Sequence, residues 1–222
     1  MEKKVSRREF LKVSVATSAV LSMAPSITLA QEPKAIQLVR PQISSGNPLM
    51  PLLWKRMSSR EFNPEPLPLE VLSNILWAAF GINRPDGRRT APTASNRQEI
   101  DIYVTAANGL YLYDAKTNLL NPILAEDIRG MTGRQSYVKL ASVNLVYVAD
   151  YSKMGTATNE DKILLSAADT GFISENVYLY CASEGLVTVV RANIDRPALA
   201  TLMKLRPDQK IVLAQSIGYP KK

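Results

Sequence analysis

Residues 69–81 read Leu-Glu-Val-Leu-Ser-Asn-Ile-Leu-Trp-Ala-Ala-Phe-Gly and predict an amphipathic helix. Four apolar residues recur at intervals of three and four, which places them on one helix face: Leu69, Leu72, Leu76 and Ala79. Gly81 follows the last of them and is a good helix stop. A proline cluster between positions 64 and 68 precedes the helix, and the irregular segment 82–92 follows it. The stretch therefore predicts one helix between two irregular segments.

Beyond this helix, strand-forming and helical stretches alternate irregularly along the chain. The predicted strands are residues 100–104, 109–113, 143–149, 186–190 and 211–217. The predicted helices are residues 159–184, ended by Gly185, and residues 195–203. Ala107-Asn108-Gly109 predicts a hairpin turn between the first two strands. This mixed order predicts an α+β domain, whereas the proline-rich residues 31–55 have no clear period and predict loops.

The composition excludes several classes of enzyme. The chain has 222 residues, one cysteine, no histidine and a formal net charge of +7. Without histidine there is no Ser-His-Asp triad, no Cys-His dyad and no imidazole metal ligand. One cysteine allows neither an internal disulfide nor a Cys-x-x-Cys redox pair. We therefore predict no metal site, and an enzyme of this composition would take its reactive group from a cofactor.

Residues 1–30 have the three parts of an export signal. Two lysines give a basic start, residues 13–23 form a modestly apolar stretch, and Thr28-Leu29-Ala30 has small residues at the positions that a signal peptidase reads. Residues 6–12, Ser-Arg-Arg-Glu-Phe-Leu-Lys, resemble the twin-arginine type of signal. The alternative is an amphipathic or membrane-anchoring helix, although the apolar run is shorter than the ~20 residues that span a bilayer.

The predicted signal has consequences for localisation, cofactor and charge. It predicts recognition by the twin-arginine export machinery, a periplasmic or otherwise exported protein, and a mature domain over residues 31–222. Because this route carries folded proteins, often with a cofactor already bound, it also indicates a prosthetic group. The signal holds five basic and two acidic residues, which leaves the mature chain a net charge of only +4. With no basic helix, no zinc spacing and no aromatic stacking motif, we expect no nucleic-acid partner.

Arg56, Ser58 and Arg60 alternate within Lys-Arg-Met-Ser-Ser-Arg-Glu-Phe, residues 55–62. In an extended segment this spacing places all three side chains on one face. Two guanidinium groups and a hydroxyl on one face can bind a phosphate, because the arginine fork matches phosphate oxygens. The same spacing also fits a solvated basic run beside a proline-rich loop.

A second candidate segment reads Arg-Arg-Thr-Ala-Pro-Thr-Ala-Ser-Asn-Arg-Gln, residues 88–98. Small and hydroxyl-bearing residues follow a proline, and amides come next. Such a loop exposes backbone donors and acceptors and lets a flat ligand approach closely. On composition alone, a polar connecting loop is the simpler interpretation.

Together these segments resemble the nitroreductase-like flavoprotein superfamily, nearest to its branch of thiazole- and oxazole-forming dehydrogenases. The motifs stand in the family's order: Arg-x-Ser-x-Arg-x-Phe from 56, the helix that runs into Gly-Ile-Asn-Arg at 81–84, Ala-Pro-Thr-Ala-Ser-Asn-Arg-Gln from 91, Gly-Leu-Tyr-Leu-Tyr-Asp from 109, the long helix and strand at 176–190, and Gly-Tyr-Pro from 218. The resemblance covers nearly all of residues 50–220.

The resemblance implies a central, mostly antiparallel sheet flanked by helices, assembled as an interlocked homodimer with two FMN sites at the interface. By position, the residues that bind the FMN phosphate and ribityl chain would be Arg56, Ser58 and Arg60. The loop that meets the flavin from the partner subunit would be formed by Pro92, Thr93, Ala94 and Asn96. A loop near the flavin N5 edge would lie at about Ala192 and Asn193. Many relatives have a further basic residue after Gly-Tyr-Pro that contacts the phosphate; here that last phosphate contact would be Lys221 or Lys222, or it would be missing.

The resemblance further implies an exported FMN-dependent oxidoreductase that performs two-electron (hydride) transfer on a small-molecule redox substrate. No acid, base or nucleophile from the protein is then required, which agrees with the absence of histidine. Arg60 is the candidate for reaching the flavin N1–O2 edge as well as the phosphate. The alternative is a non-catalytic dimer that keeps this fold and binds flavin or another ligand. Four residues are interpreted as core or surface positions and left out of the site: Tyr151, Tyr178, Cys181 and Glu184.

Overall fold

The computed structural model describes residues 34–43 and 46–221. The predicted export signal lies outside these residues, as does Lys222. The strands are β1 (Ile36–Gln37), β2 (Phe62–Asn63), β3 (Ile100–Ala106), β4 (Gly109–Asp114), β5 (Leu119–Leu124), β6 (Val143–Asp150), β7 (Val187–Arg191) and β8 (Gln209–Pro220). The helices are α1 (Leu49–Lys55), α2 (Leu69–Phe80), α3 (Asn159–Glu184) and α4 (Arg196–Leu202). Among the described residues, no helix combines the length and the apolar character that crossing a bilayer requires.

The eight strands of the described residues form one sheet in the order β1-β5-β4-β3-β6-β8-β2, and β7 also pairs with β8. Every pair of these strands is antiparallel. β3 and β4 form the predicted hairpin, since Ala106 pairs with Gly109 across the turn at Ala107 and Asn108. The predicted α+β fold with a mostly antiparallel sheet is confirmed.

Strand β6 lies at the centre of the sheet, and all eight of its residues are buried. Its side chains alternate between two cores, as the pleat of a strand requires. Leu145 and Tyr147 pack with α2 and α3 on one face. Val146 and Val148 pack on the other face with Leu199 of α4. Because both faces are covered, β6 is one continuous apolar run in the sequence.

The two long helices begin and end where the sequence predicts. Thr158 caps α3, since its hydroxyl oxygen accepts the Asp161 N–H at 3.1 Å. Gly185 ends α3 with φ +69°, a left-handed conformation that favours glycine. A Cβ at Gly81 would lie 2.3 Å from the Trp77 ring, so α2 ends at a residue that has none.

Four elements were not predicted, and α1 contradicts the prediction of loops over residues 31–55. Pro51 is in the first turn of α1, where the N–H that proline lacks has no helical partner in any case. Five of its seven residues are apolar although only Leu52 is buried, so no separate polar face marks the helix in the sequence. Strands β1, β2 and β5 were also missed, and β5 contains Pro122, a residue that argues against a strand.

Candidate functional site

Residues 56–63 run in extended form along the edge of the sheet. Ser58 forms a parallel bridge with Thr188, and the Ser59 N–H donates to the Thr188 carbonyl at 3.0 Å. Further on, β2 pairs with the end of β8. An extended chain rises about 3.3 Å per residue, so Arg56 and Arg60 lie roughly 13 Å apart along the segment. The extended conformation that the alternating pattern requires is therefore present.

Arg56 and Ser58 meet Tyr178 of α3. The hydroxyls of Ser58 and Tyr178 are 2.8 Å apart, and the Arg56 guanidinium lies over the Tyr178 ring, 5.3 Å from its centroid. The Tyr178 hydroxyl also accepts the Val190 N–H at 2.9 Å. Tyr178 is only 6% exposed, whereas Ser58 is exposed to solvent. We call these four residues the Tyr178 cluster.

Arg60 lines an open groove of about 750 Å³ at the other end of the segment. The groove is lined by Arg60, Glu61, Phe62, Asn63, Pro64, Ser136, Tyr137, Lys139, Leu140 and Lys221. Its lining includes three cationic side chains, and the rings of Phe62 and Tyr137 are 6.0 Å apart in a tilted arrangement. Lys221, the candidate for a last phosphate contact, is therefore near Arg60 and away from the Tyr178 cluster.

The loop that holds Pro92, Thr93, Ala94 and Asn96 packs against α3. The Ala94 N–H donates to the Asp169 carboxylate at 3.0 Å, and the Thr93 hydroxyl accepts the Gln98 N–H at 3.0 Å. Asp169 precedes Tyr178 by nine residues on α3, which is roughly 13 Å along the helix axis. Within one chain, the loop and the Tyr178 cluster thus contact separate parts of the same helix.

The same loop has a strained backbone. Ser95, Asn96 and Gln98 have φ values of +54°, +54° and +51°. The left-handed region is unfavourable for residues with a Cβ and costs of order 1 kcal/mol or more each. Such strain persists only where surrounding contacts fix the backbone, and the Ala94–Asp169 and Thr93–Gln98 hydrogen bonds are two of them. Of these three residues only Asn96 is of a type that often adopts this conformation, so three left-handed residues close together could not be predicted from the sequence.

Glu99 and Asp169 form a buried carboxyl pair beneath this loop. Both Glu99 carboxyl oxygens are buried and have no hydrogen-bond partner among the described residues. Burial is the main cause that raises the pKa of Glu99 to about 7. The backbone N–H of Glu99 opposes this shift, the neighbouring Asp169 adds to it, and the charge of Arg97 opposes it more weakly. Near neutral pH the Glu99 carboxyl is therefore partly protonated.

Arg191, at the end of β7, is a buried cation with no carboxylate within ion-pair distance in the described part of the chain. Its guanidinium donates to the Thr132 carbonyl, to the Thr132 hydroxyl at 2.7 Å, to Asn144 Oδ1 at 2.7 Å and to Ser216 Oγ at 3.2 Å. Burial lowers the pKa of Arg191 to about 10. The positive charge of Arg191 is thus surrounded by neutral oxygen atoms, whereas a buried arginine is more often paired with a carboxylate.

The segment expected near the flavin N5 edge follows Arg191 directly. Ala192 and Asn193 are exposed, and the Asn193 carbonyl accepts the Arg134 N–H at 3.1 Å. This bond joins the segment to residues 133–136, which lead into the groove at Ser136. Residues 192–193 are therefore joined to the segment 133–136 that approaches the groove.

Of the four side chains left out of the site, three have ordinary structural positions. Cys181 is buried and burial raises the pKa of its thiol, Glu184 is exposed at the end of α3, and Tyr151 packs beside Lys162. Tyr178 is different because it contacts two predicted ligand residues. The sequence separates Tyr178 from Ser58 by 120 positions, so no local pattern could have joined them.

Comparisons with known proteins support the fold and identify a family. Residues 53–219 match the nitroreductase family. A Methanocaldococcus jannaschii protein assigned as a nitroreductase is 30% identical over 148 residues, 62% of this chain and 75% of that protein. A crystal structure of a Ralstonia eutropha protein, also assigned as a nitroreductase, is 44% identical and matches with a TM-score of 0.82. The match covers 86% of this chain and 91% of the Ralstonia chain. A Desulfovibrio desulfuricans structure of the same assignment, solved in complex with FMN, shares the fold at 21% identity and a TM-score of 0.58, covering 80% and 89%.

Proposed function

The chain belongs to the nitroreductase family, and from this premise we propose that it is an FMN-dependent oxidoreductase that acts on a small-molecule redox substrate. The observation that supports this most directly is the extended segment 56–63. It places Arg56 and Ser58 in the Tyr178 cluster and Arg60 in the groove. This arrangement suits a ligand with an anionic end, held at the cluster, and a flat ring, held in the groove.

The donor set fits FMN by its chemistry. Arginine and hydroxyl donors suit a phosphate monoester, and Ser58 is exposed although its neighbour Tyr178 is buried. The groove combines cationic side chains with the two aromatic rings of Phe62 and Tyr137, and this combination suits a planar ring that gains negative charge on reduction. We assign the phosphate to Arg56 and Ser58, and the N1–O2 edge of the ring to Arg60.

When bound, FMN supplies the two-electron chemistry that the side chains of this chain lack. The chain's own residues bind and orient. Arg56 and Ser58 would hold the phosphate, and Arg60 and Lys221 would place positive charge along the groove. Because both carbonyls at residues 192–193 already accept hydrogen bonds within the chain, only the N–H groups of these residues would be offered to the N5 edge. No protein acid or base is assigned a step.

We further propose that the site is completed by a second copy of the chain. The loop at 92–96 and the Tyr178 cluster contact different parts of α3, so one chain alone does not bring them together. Two apolar surfaces are exposed in the single chain, one on and after α1 and one on α3. Their large exposed residues are Leu49, Met50, Leu53, Trp54, Met57, Ile163, Leu164 and Phe172. A homodimer that covers these surfaces would place the loop of one subunit at the cluster of the other.

Export adds a constraint on the electron donor. We propose residues 1–30 as a twin-arginine signal and residues 31–222 as the mature domain, acting in the periplasm or another exported location. Reduced nicotinamides are cytoplasmic, so the proposed donor is a different reductant, or the protein runs as a dehydrogenase as in the thiazole- and oxazole-forming branch. Rapid bleaching of bound flavin by NADH or NADPH, with turnover of an acceptor, would contradict this part of the proposal.

The first test is the visible spectrum of the purified protein and its titration with FMN. We expect flavin absorbance, and we expect Arg56→Ala combined with Arg60→Ala to weaken FMN binding about a hundredfold or more, because two charge-assisted contacts are lost. Arg40→Ala combined with Lys116→Ala is the matched control, since both side chains are exposed and remote from the segment. A colourless protein that gains no flavin would contradict the enzyme proposal and favour a non-catalytic dimer with another ligand.

A further inference from the structure

We propose that Tyr178 is a positioning residue for the phosphate end of the site, acting through Ser58 and Arg56. The inference rests on the proposed function and concerns a residue that sequence reasoning leaves out. Tyr178 is on α3, in the buried layer between the helix and the sheet, and its hydroxyl is the point where α3, β7 and the segment at 56–60 meet. It reaches the ligand only through its neighbours.

The direction of the hydrogen bonds follows from their partners. The Val190 N–H can only donate, so the Tyr178 hydroxyl oxygen accepts that bond. The phenolic proton of Tyr178 is then free to donate to Ser58 Oγ. This leaves the Ser58 proton available for a phosphate oxygen, which offers acceptors only. The result is an aligned chain from Val190 N–H through Tyr178 and Ser58 to the anion, in which each bond strengthens the next.

The ring of Tyr178 has a separate effect on Arg56. The guanidinium lies over the ring face at 5.3 Å from the centroid, a cation–π arrangement that restricts a flexible side chain. An arginine held in this way loses less conformational entropy when it binds an anion. Tyr178 thus orders one hydroxyl donor and one guanidinium donor at the same point.

The decisive comparison is between FMN and riboflavin, which have the same ring and differ in the phosphate. We expect Tyr178→Phe to raise the FMN dissociation constant about five- to tenfold, the loss of roughly one hydrogen bond to the chain of donors, and to leave riboflavin binding unchanged. Phenylalanine keeps the ring beneath Arg56, so the variant isolates the hydroxyl. Tyr180→Phe is the matched control, because Tyr180 is a partly buried tyrosine on the same helix outside the cluster.

A double-mutant cycle tests whether Tyr178 acts through Ser58. We expect Ser58→Ala to weaken FMN binding by a similar factor, and the double variant to bind no more weakly than Ser58→Ala alone. Ser58 is exposed, so the Ser58→Ala single variant does not depend on how well a core variant folds. Thermal midpoints of all variants are compared with those of the parent protein.

The outcomes separate the two proposals. A parent protein that binds neither FMN nor riboflavin overturns the proposed function and this inference with it. If the parent protein prefers FMN to riboflavin but Tyr178→Phe binds FMN as tightly as the parent does, the role of Tyr178 is overturned and the proposed function is not. Equal loss of FMN and riboflavin affinity in Tyr178→Phe, or additive losses in the double variant, assigns Tyr178 to packing and also overturns it.

Discussion

The buried clusters around Arg191 and Glu99 differ in the hydrogen-bond partners that surround the ionisable side chain. At Arg191 a guanidinium is surrounded by neutral oxygens from Thr132, Asn144 and Ser216. At Glu99 a carboxyl is next to a second carboxyl, Asp169, and its oxygens have no hydrogen-bond partner among the described residues. The first cluster is rich in partners for its charge, and the second is poor in them.

The difference follows from what each group can do with its proton. An arginine side chain stays charged in proteins, so burying it requires acceptors for its donors. A carboxyl group can instead become neutral, and the raised pKa of Glu99 shows that burial favours this state. The contribution of the Arg191 cluster to the free energy of unfolding should therefore not change with pH below the pKa of Arg191, about 10, whereas the Glu99 pair should cost stability when it ionises.

The largest effect is expected from Arg191→Met. The substitution removes the Arg191 donors from four oxygen acceptors in the core, of which Asn144 Oδ1 keeps the Ser216 hydroxyl as a donor. We expect the free energy of unfolding to fall by about 3 kcal/mol or more. Denaturant unfolding followed by circular dichroism measures the change. Arg191→Lys keeps the charge with fewer donors and should lose less.

A loss below about 1 kcal/mol for Arg191→Met would mean that neutral acceptors barely stabilise this cation, and the contrast between the two clusters would disappear. Arg134→Ala is a suitable control, because Arg134 is an exposed arginine nearby whose ion pair with Asp195 is on the surface.

The second effect is a pH-dependent gain from Glu99→Gln. The folded-state pKa of Glu99 is raised from 4.5 to about 7, so the folded protein holds a proton that the unfolded chain releases, and stability falls as pH rises through this window. Glutamine cannot ionise. We expect its thermal midpoint to exceed that of the parent protein by about 7 °C or more at pH 8, with little difference at pH 4.

Thermal scans across this pH range check the expectation. A constant difference at every pH would show that Glu99 does not titrate in the folded protein between pH 4.5 and 7. Glu126→Gln, at an exposed loop position, controls for the change in net charge.

The smallest effect is expected from Ser216→Ala. Ser216 Oγ accepts from Arg191 and donates to Asn144 Oδ1 at 2.6 Å, so its removal costs one acceptor and one donor while the other partners of Arg191 remain. We expect a loss of about 1 kcal/mol in unfolding free energy, independent of pH between 5 and 9. Ser216→Ala in the Arg191→Met background should have a different effect if the two residues act as a unit.

Local apolar patterns predicted the helices and strands that pack into the core. The remaining elements are formed by pairing with distant segments, which no local pattern shows. Strand β6 and helices α2 and α3 have apolar patterns long enough to identify them. Strand β5 contains Pro122, and its register with β4 shifts between Leu110 and Tyr111, next to the pair that Tyr111 forms with Pro122. Such an arrangement is set by the neighbouring strand and is not visible in the β5 sequence.

The candidate site divides in the same way. The alternation of Arg56, Ser58 and Arg60 is a local pattern, and the extended backbone it requires is present. Tyr178 and Asp169 could not be predicted, because they contact the site across 120 and 75 positions of the chain. The roles of Pro92, Thr93, Ala94 and Asn96 in binding flavin, like those of the basic residues, stay predictions until binding is measured.

The position of Trp54 gives the protein an internal optical reporter. Trp54 and Trp77 are its only tryptophans. Trp77 is half-buried and its indole N–H donates to the Ile82 carbonyl, so its emission provides a fixed background. Trp54 is 91% exposed in the single chain, and its indole emission moves to shorter wavelength when water is removed from around it. Association of the surface on α1 can therefore be followed by fluorescence in the unlabelled protein.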